Sequence, residues 1–159
     1  MFNISRHTDY AARIVLHLAG LDPDSRVTAK EVAQRRLIPP AFVRRIVSRL
    51  SAAGILKTVR GTGGGIALAR PASEISLREV VEALEGPLSL NCCVEEPDSC
   101  PLSETCPVRG SWEGATRHLW TYLGEVRFSA LAAAGGKEPA GVAKGLKRVG
   151  RRPTSKGRS

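Results

Sequence analysis

The chain has 159 residues, 42% of them hydrophobic, with four cysteines and a formal net charge of +9, which allows one domain with a sizeable core and excludes two large independent ones. No run approaches the roughly 18 apolar residues that a membrane span requires, and Met1-Phe2-Asn3-Ile4-Ser5-Arg6 lacks the apolar core of a signal peptide. A cytoplasmic protein without a membrane partner is expected, and in a reducing compartment clustered cysteines point to metal or redox chemistry rather than structural disulfides.

The charge is segregated. Residues 1–70 carry 12 basic and 4 acidic side chains (+8), residues 71–136 carry 4 and 10 (−6), and residues 137–159 carry 8 and 1 (+7). Only the first block reads as a DNA-binding face.

Residues 7–18 place Tyr10, Ile14 and Leu18 four apart, with Ala11 and Val15 beside them, which predicts a helix with one apolar face ended by Gly20. Thr28-Ala29-Lys30-Glu31 matches a capping box opening a short helix to about residue 36. Pro39-Pro40 breaks that helix, and Pro40 is suited to begin the next. Across 40–53, Phe42, Val43, Ile46, Val47 and Leu50 cluster on one side of the wheel, and Arg44, Arg45 and Ser48 on the other. Two short helices joined by a tight turn, the second presenting arginines, form a helix-turn-helix candidate. An ordinary solvated face accounts for those arginines equally well on periodicity alone.

Residues 56–60 and 66–70 read as short strands around Gly61-Thr62-Gly63-Gly64-Gly65, a hairpin with a glycine tip. A hairpin following a recognition helix is a wing, whereas a phosphate-binding enzyme loop would lead into a helix. Ser76-Leu77-Arg78-Glu79 is a second capping box, opening a helix through Val80, Val81 and Leu84 that ends at Gly86-Pro87. After Cys106, Trp112, Ala115, Leu119, Tyr122 and Val126 recur at steps of three and four, a coiled-coil-like seam suited to pairing with a second copy. The Gly-, Lys- and Arg-rich stretch 134–159 has too few apolar residues to fold and is expected to be a disordered basic tail.

All four cysteines fall between positions 92 and 106. Cys100 follows Cys92 by eight positions and Cys93 by seven, and Cys106 follows Cys100 by six, so three thiolates can converge on one centre. Thiolates ligate iron–sulfur clusters and also zinc. Adjacent Cys92-Cys93 does not reproduce the paired spacing of structural zinc sites, and a metal-free thiol switch is the other alternative. His7, His17 and His118 are scattered and no serine, histidine and acid arrangement stands out, so no enzyme is expected.

Thr8-Asp9-Tyr10-Ala11 with Arg13, the stretch from Leu50-Ser51-Ala52-Ala53-Gly54 to Val59-Arg60-Gly61, Gly63-Gly64-Gly65 and the three spaced cysteines together resemble the Rrf2 family of winged-helix bacterial transcription regulators, over residues 1–130. Within that family the chain is most similar to NsrR-type members, through Leu88-Ser89-Leu90-Asn91-Cys92, while the longer Cys92 to Cys100 gap is similar to RirA-type members.

The resemblance implies a mainly α fold with a small β-hairpin wing: a winged helix-turn-helix domain over 1–86, a cysteine-rich cluster-binding loop over 87–106 and a dimerisation helix over 107–133. It implies a homodimeric repressor on a palindromic double-stranded DNA operator, controlled by an iron–sulfur cluster (4Fe-4S favoured over 2Fe-2S) and sensing nitric oxide. Iron or cluster-status sensing and a metal-free thiol-redox switch are the alternatives. The implied ligands are Cys92, Cys100 and Cys106, with Cys93 an alternative to Cys92 and Asp9 of a second copy as the fourth. Arg109 stands where IscR-type members have a histidine. The implied DNA contacts are Arg44, Arg45 and Ser48 in the major groove, Arg60 and Gly64 at the wing, and Thr28.

Overall fold

The computed structural model describes residues 4–23, 25–61 and 64–135. The expected basic tail beyond Gly135, and Thr62 and Gly63 of the wing tip, lie outside the described residues. α1 spans Arg6–Ala19, capped by Ser5, whose side chain accepts from the Thr8 N–H. It buries Tyr10, Ala11, Ile14, Val15 and Leu18, the face its periodicity predicts.

α2 (Ala29–Arg35) and α3 (Pro40–Ala52) pack against each other across a tight turn. Thr28 caps α2 by accepting from the Glu31 N–H at 3.1 Å, but the reciprocal half of the expected capping box is not made. Glu31 pairs instead with Arg35 at 3.0 Å, one turn along the same face. Val43, Ile46, Val47 and Leu50 of α3 are buried. Phe42 stays partly exposed, its ring edge-on to His7 with centroids 5.0 Å apart.

β1 (Leu56–Val59) and β2 (Gly65–Leu68) pair antiparallel with Leu56 opposite Leu68 and Val59 opposite Gly65. Val27 adds a one-residue bridge to this hairpin, its N–H donating to the Ile66 carbonyl at 3.2 Å and its carbonyl accepting from the Ile66 N–H at 2.9 Å. A Cβ on Gly65 would stand 2.8 Å from the Val27 carbonyl oxygen, so glycine is what lets the strands approach. The wing is thereby fastened to the residue that leads into α2.

α4 (Leu77–Glu85) opens with a complete capping box: Ser76 accepts from the Glu79 N–H, and Glu79 accepts from the Ser76 N–H at 2.7 Å. Its far end is the junction of the domain. Arg49 of α3 donates to the Leu84 carbonyl at 2.6 Å, and Glu85 accepts from the Ser5 N–H at 3.1 Å and from the Thr8 hydroxyl.

The cysteine-bearing stretch is not a plain loop. It contains α5 (Cys92–Glu95) and a 3-10 turn, Pro97–Ser99. The long helix expected over 107–133 is two helices, α6 (Pro107–Glu125) and α7 (Phe128–Ala134). The chain breaks between them because residues 126–128 pair with the backbone ahead of α4: the Leu77 N–H donates to the Val126 carbonyl at 2.9 Å and the Phe128 N–H to the Ile75 carbonyl at 3.1 Å. α7 then packs on α1, and Phe128 is 1% exposed in the core. No helix of the described residues is long and apolar enough to cross a membrane.

Truncating Phe128→Ala removes the largest fully buried side chain and should destabilise the fold by about 3–5 kcal/mol, measured by urea unfolding followed by circular dichroism. A second expectation concerns Glu85. Burial raises its pKa, but the hydrogen bonds from Ser5 and Thr8 and the nearby His7 outweigh burial and hold the carboxyl below its ordinary value of 4.5. A depressed folded-state pKa contributes stability above the unfolded value that is lost as pH falls through the folded one. Glu85→Gln should therefore flatten the acid limb of stability against pH, below about 4.5, compared with the parent chain in the same urea series.

Candidate nucleic-acid interface and cysteine segment

The four buried residues of α3 fix its roll about its own axis, and that roll turns Arg44, Arg45 and Ser48 outward, all exposed. Arg49, also exposed on the same helix, uses one guanidinium nitrogen to donate to the Leu84 carbonyl. The hairpin packs against α3 and carries Arg60 exposed just past β1. Gly64 turns back at the tip, its N–H donating to the Gly61 carbonyl at 2.9 Å. A Cβ there would collide with the Val59 carbonyl oxygen, so position 64 admits only glycine. Thr28 is exposed at the start of α2, and its hydroxyl oxygen accepts the cap bond from the Glu31 N–H.

A cleft of about 250 Å³ lies beside the recognition-helix candidate, lined by Ser5, His7, Arg45, Ile46, Arg49, Leu84 and Glu85. Arg45 thus stands between the solvent face of α3 and the junction at the end of α4. Periodicity does not reveal that Arg49 and Glu85 meet at this junction. The available signal was positional: Glu85 immediately precedes the Gly86-Pro87 break that launches the cysteine segment.

That segment is anchored to α6 at its start. The Trp120 indole N–H donates to the Leu88 carbonyl at 3.0 Å, and the Leu90 N–H donates to the buried Thr116 hydroxyl at 3.3 Å. Arg78 of α4 stacks over the Trp120 ring, 4.9 Å from its centroid. Cys92 and Cys93 begin α5, Cys100 closes the 3-10 turn and Cys106 is the N-cap of α6. All four are free thiols, Cys92 exposed and the others half-buried.

Asp9 is on α1, paired with Arg13 at 2.6 Å on the surface. Among the described residues no three His, Cys, Asp or Glu side chains come together as a metal site, so a single chain does not gather Asp9 and the thiols. The donor chemistry nonetheless suits an iron–sulfur group: four free, solvent-reachable sulfurs lie on a segment whose α5 and 3-10 turn bury no residue. The sulfurs at those two short elements, Cys92, Cys93 and Cys100, can be re-aimed without unpacking a core.

A family model described as Rrf2, iron-dependent transcriptional regulator, matches residues 4–134. The chain is 34% identical to the HTH-type transcriptional regulator NsrR of Geobacillus kaustophilus (strain HTA426), over 67% of this chain and 73% of that protein. It is also 34% identical to Protein aau3 of Rhizobium meliloti (strain 1021), over 76% of this chain and 78% of that one. Among solved structures it is similar to CymR, the global cysteine regulator of B. subtilis, with a TM-score of 0.70 at 25% identity, over 84% of this chain and 98% of the other. The α2–α3 pair followed by the hairpin is accordingly a winged helix-turn-helix, and the chain belongs to the Rrf2 family of transcriptional regulators rather than to an enzyme family.

Proposed function

We propose that this protein is a homodimeric repressor whose grip on a palindromic operator is controlled by an iron–sulfur cluster and relieved by nitric oxide. The observation that carries the reading is the placement of four free thiols between the winged helix and a partly uncovered helix face. Similarity to NsrR proteins and to a family described as iron-dependent supports it.

The second copy is argued from α6. Trp112 is 40% and Tyr122 65% exposed, with Val108 and Leu102 also exposed nearby in sequence, so the expected seam, whose Leu119 and Val126 are half-buried, is only partly covered within its own chain. Two-fold pairing along this face matches a palindromic site. On each half-site Arg44, Arg45 and Ser48 read the major groove, Arg60 and the Gly64 backbone follow the sugar-phosphate rail, and the Thr28 hydroxyl donates to a phosphate.

Cys92, Cys100 and Cys106 are the cluster thiolates. Cys93 is the alternative to Cys92 at the first position, and the family resemblance points to Asp9 of a second copy for the fourth. Bound there, a cluster, 4Fe-4S in preference to 2Fe-2S, supplies iron sites open to nitric oxide or another redox signal. The protein's part is transmission. The segment that carries the thiols begins at Gly86, directly after Leu84 and Glu85, and those two residues hold α3 through Arg49 and α1 through Ser5 and Thr8. A change in the thiol segment pulls on that junction and re-aims the recognition helix.

The second reading is a metal-free thiol switch, favoured by the exposure of Cys92 and by the likeness to a cysteine regulator. An anaerobic ultraviolet–visible spectrum with iron and sulfide assays separates the readings. Visible absorbance with acid-labile sulfide, bleached by nitric oxide, is expected. An inert cluster would indicate an iron or cluster-status sensor instead. Protein that stays colourless after anaerobic reconstitution would leave a thiol switch or zinc.

On a palindromic duplex selected from random sequence, Arg44→Ala and Arg45→Ala should each cost about 1–3 kcal/mol of binding and relax preference at one base position. Arg60→Ala should weaken all sequences alike and reduce the salt slope by about 1. Fluorescence anisotropy over a salt series distinguishes the two behaviours.

A further inference from the structure

The chain has one thiol more than the three spaced positions use, and the fold places it with the others. Cys92 and Cys93 open α5, Cys100 closes the 3-10 turn and Cys106 caps α6. α5 packs against both the turn and α6, so the four thiols sit on three touching pieces of backbone. Cys93 shares the half-buried setting of Cys100 and Cys106.

Successive residues of a helical turn project about 100° apart. In extended backbone adjacent side chains likewise point apart, so whether or not α5 is kept on loading, the Cys92 and Cys93 sulfurs suit two different irons of one cluster better than one metal ion. A zinc ion, whose four ligands converge on a single centre, has little use for such a pair. The competing donor, Asp9, is a hard carboxylate already engaged by Arg13, and thiolate is the better match for cluster iron.

In the metal-free arrangement no three of the candidate ligands converge, so loading requires the segment to rearrange. Much of what holds it is local: the Val94 N–H to the Asn91 carbonyl, the Glu96 N–H to the Cys92 carbonyl and the Ser99 N–H to the Glu96 carbonyl. Short turns with no buried residue reshape at low free-energy cost.

We propose that Cys93 is the fourth cluster ligand, so that Cys92, Cys93, Cys100 and Cys106 hold the cluster within one chain and Asp9 is not a ligand. The proposal rests on the iron–sulfur reading above. Each thiol enters as thiolate and gives up its proton on binding.

The test uses the full-length chain and its Cys93→Ala, Cys93→Ser, Cys92→Ala and Asp9→Ala variants. Each is reconstituted anaerobically with ferrous iron and sulfide and moved into thiol-free buffer. Native mass spectrometry counts iron and sulfide per chain, and decay of the visible absorbance is followed in EDTA. Asp9→Ala should match the parent in both readouts. Cys93→Ala and Cys92→Ala should lose iron or decay at least about tenfold faster, as even loss of an outer-shell partner does.

Retention of the full cluster by either cysteine variant, or loss of it by Asp9→Ala, overturns the proposal while leaving the iron–sulfur reading intact. A parent chain that takes up no cluster overturns both. Should circular dichroism show Cys93→Ala misfolded, the near-isosteric Cys93→Ser decides on the same two readouts.

Discussion

The carboxyl-terminal end of α4 is the constraint on which the arrangement of the domain depends. The last turn of any helix leaves carbonyls without intrahelical donors, and here a guanidinium from α3 supplies one: Arg49 donates to the Leu84 carbonyl. Glu85 stands at the unfavourable end of its own helix dipole. It is also at the favourable end of another helix, where it meets the Ser5 N–H and the Thr8 hydroxyl at the start of α1. One helix terminus thus caps a second helix and is itself capped by a third. The Gly86 that follows is the only covalent route from the winged helix into the thiol segment.

Local chemistry was legible where the residue that decides a conformation lies within a turn of its effect. Ser76 and Glu79 form the complete box their spacing announces, Pro40 opens α3, and the alternating faces of α3 separate Val43 and Ile46 from Arg44 and Arg45 as the wheel predicts. What stayed hidden depends on partners far along the chain. Nothing in Val126-Arg127-Phe128 marks a helix break. The break exists because backbone at 75–77 offers hydrogen bonds there and the core has room for Phe128. Glu31 chose Arg35 over the reciprocal cap, a competition between two local rules that spacing alone does not decide. Of the candidate site, residue types and the outward face of α3 were readable. The bond from Arg49 to the Leu84 carbonyl, and the separation of Asp9 from the thiols in a single chain, were not.

Charge segregation constrains how a signal at the thiols can reach DNA. The segment around them carries Glu95, Glu96, Asp98 and Glu104, whereas the block containing α3 and the wing is strongly basic. An acidic segment is repelled by phosphate, so in the proposed reading the cluster region does not touch DNA. Its influence passes through covalent and packed connections, and α4 is the element that has both: its body contacts α6, on which the segment is anchored, and its end holds α1 and α3.

The magnitudes suit a switch. Hydrogen bonds to charged groups contribute about 1.5–3 kcal/mol each, and about 1.4 kcal/mol is a tenfold change in an equilibrium constant. Arg49 with the Leu84 carbonyl, and Glu85 with Ser5 and Thr8, are such bonds. Arg49 and Glu85 are exposed, so solvent screening brings each contribution down to about 0–1 kcal/mol. In the proposed reading, losing these bonds together when the thiol segment rearranges biases the recognition helix several-fold, with the core around Ile14, Ile46, Leu50 and Phe128 left packed. A regulator must release DNA without unfolding, and a junction made of a few charged hydrogen bonds at the edge of a dry core meets both demands.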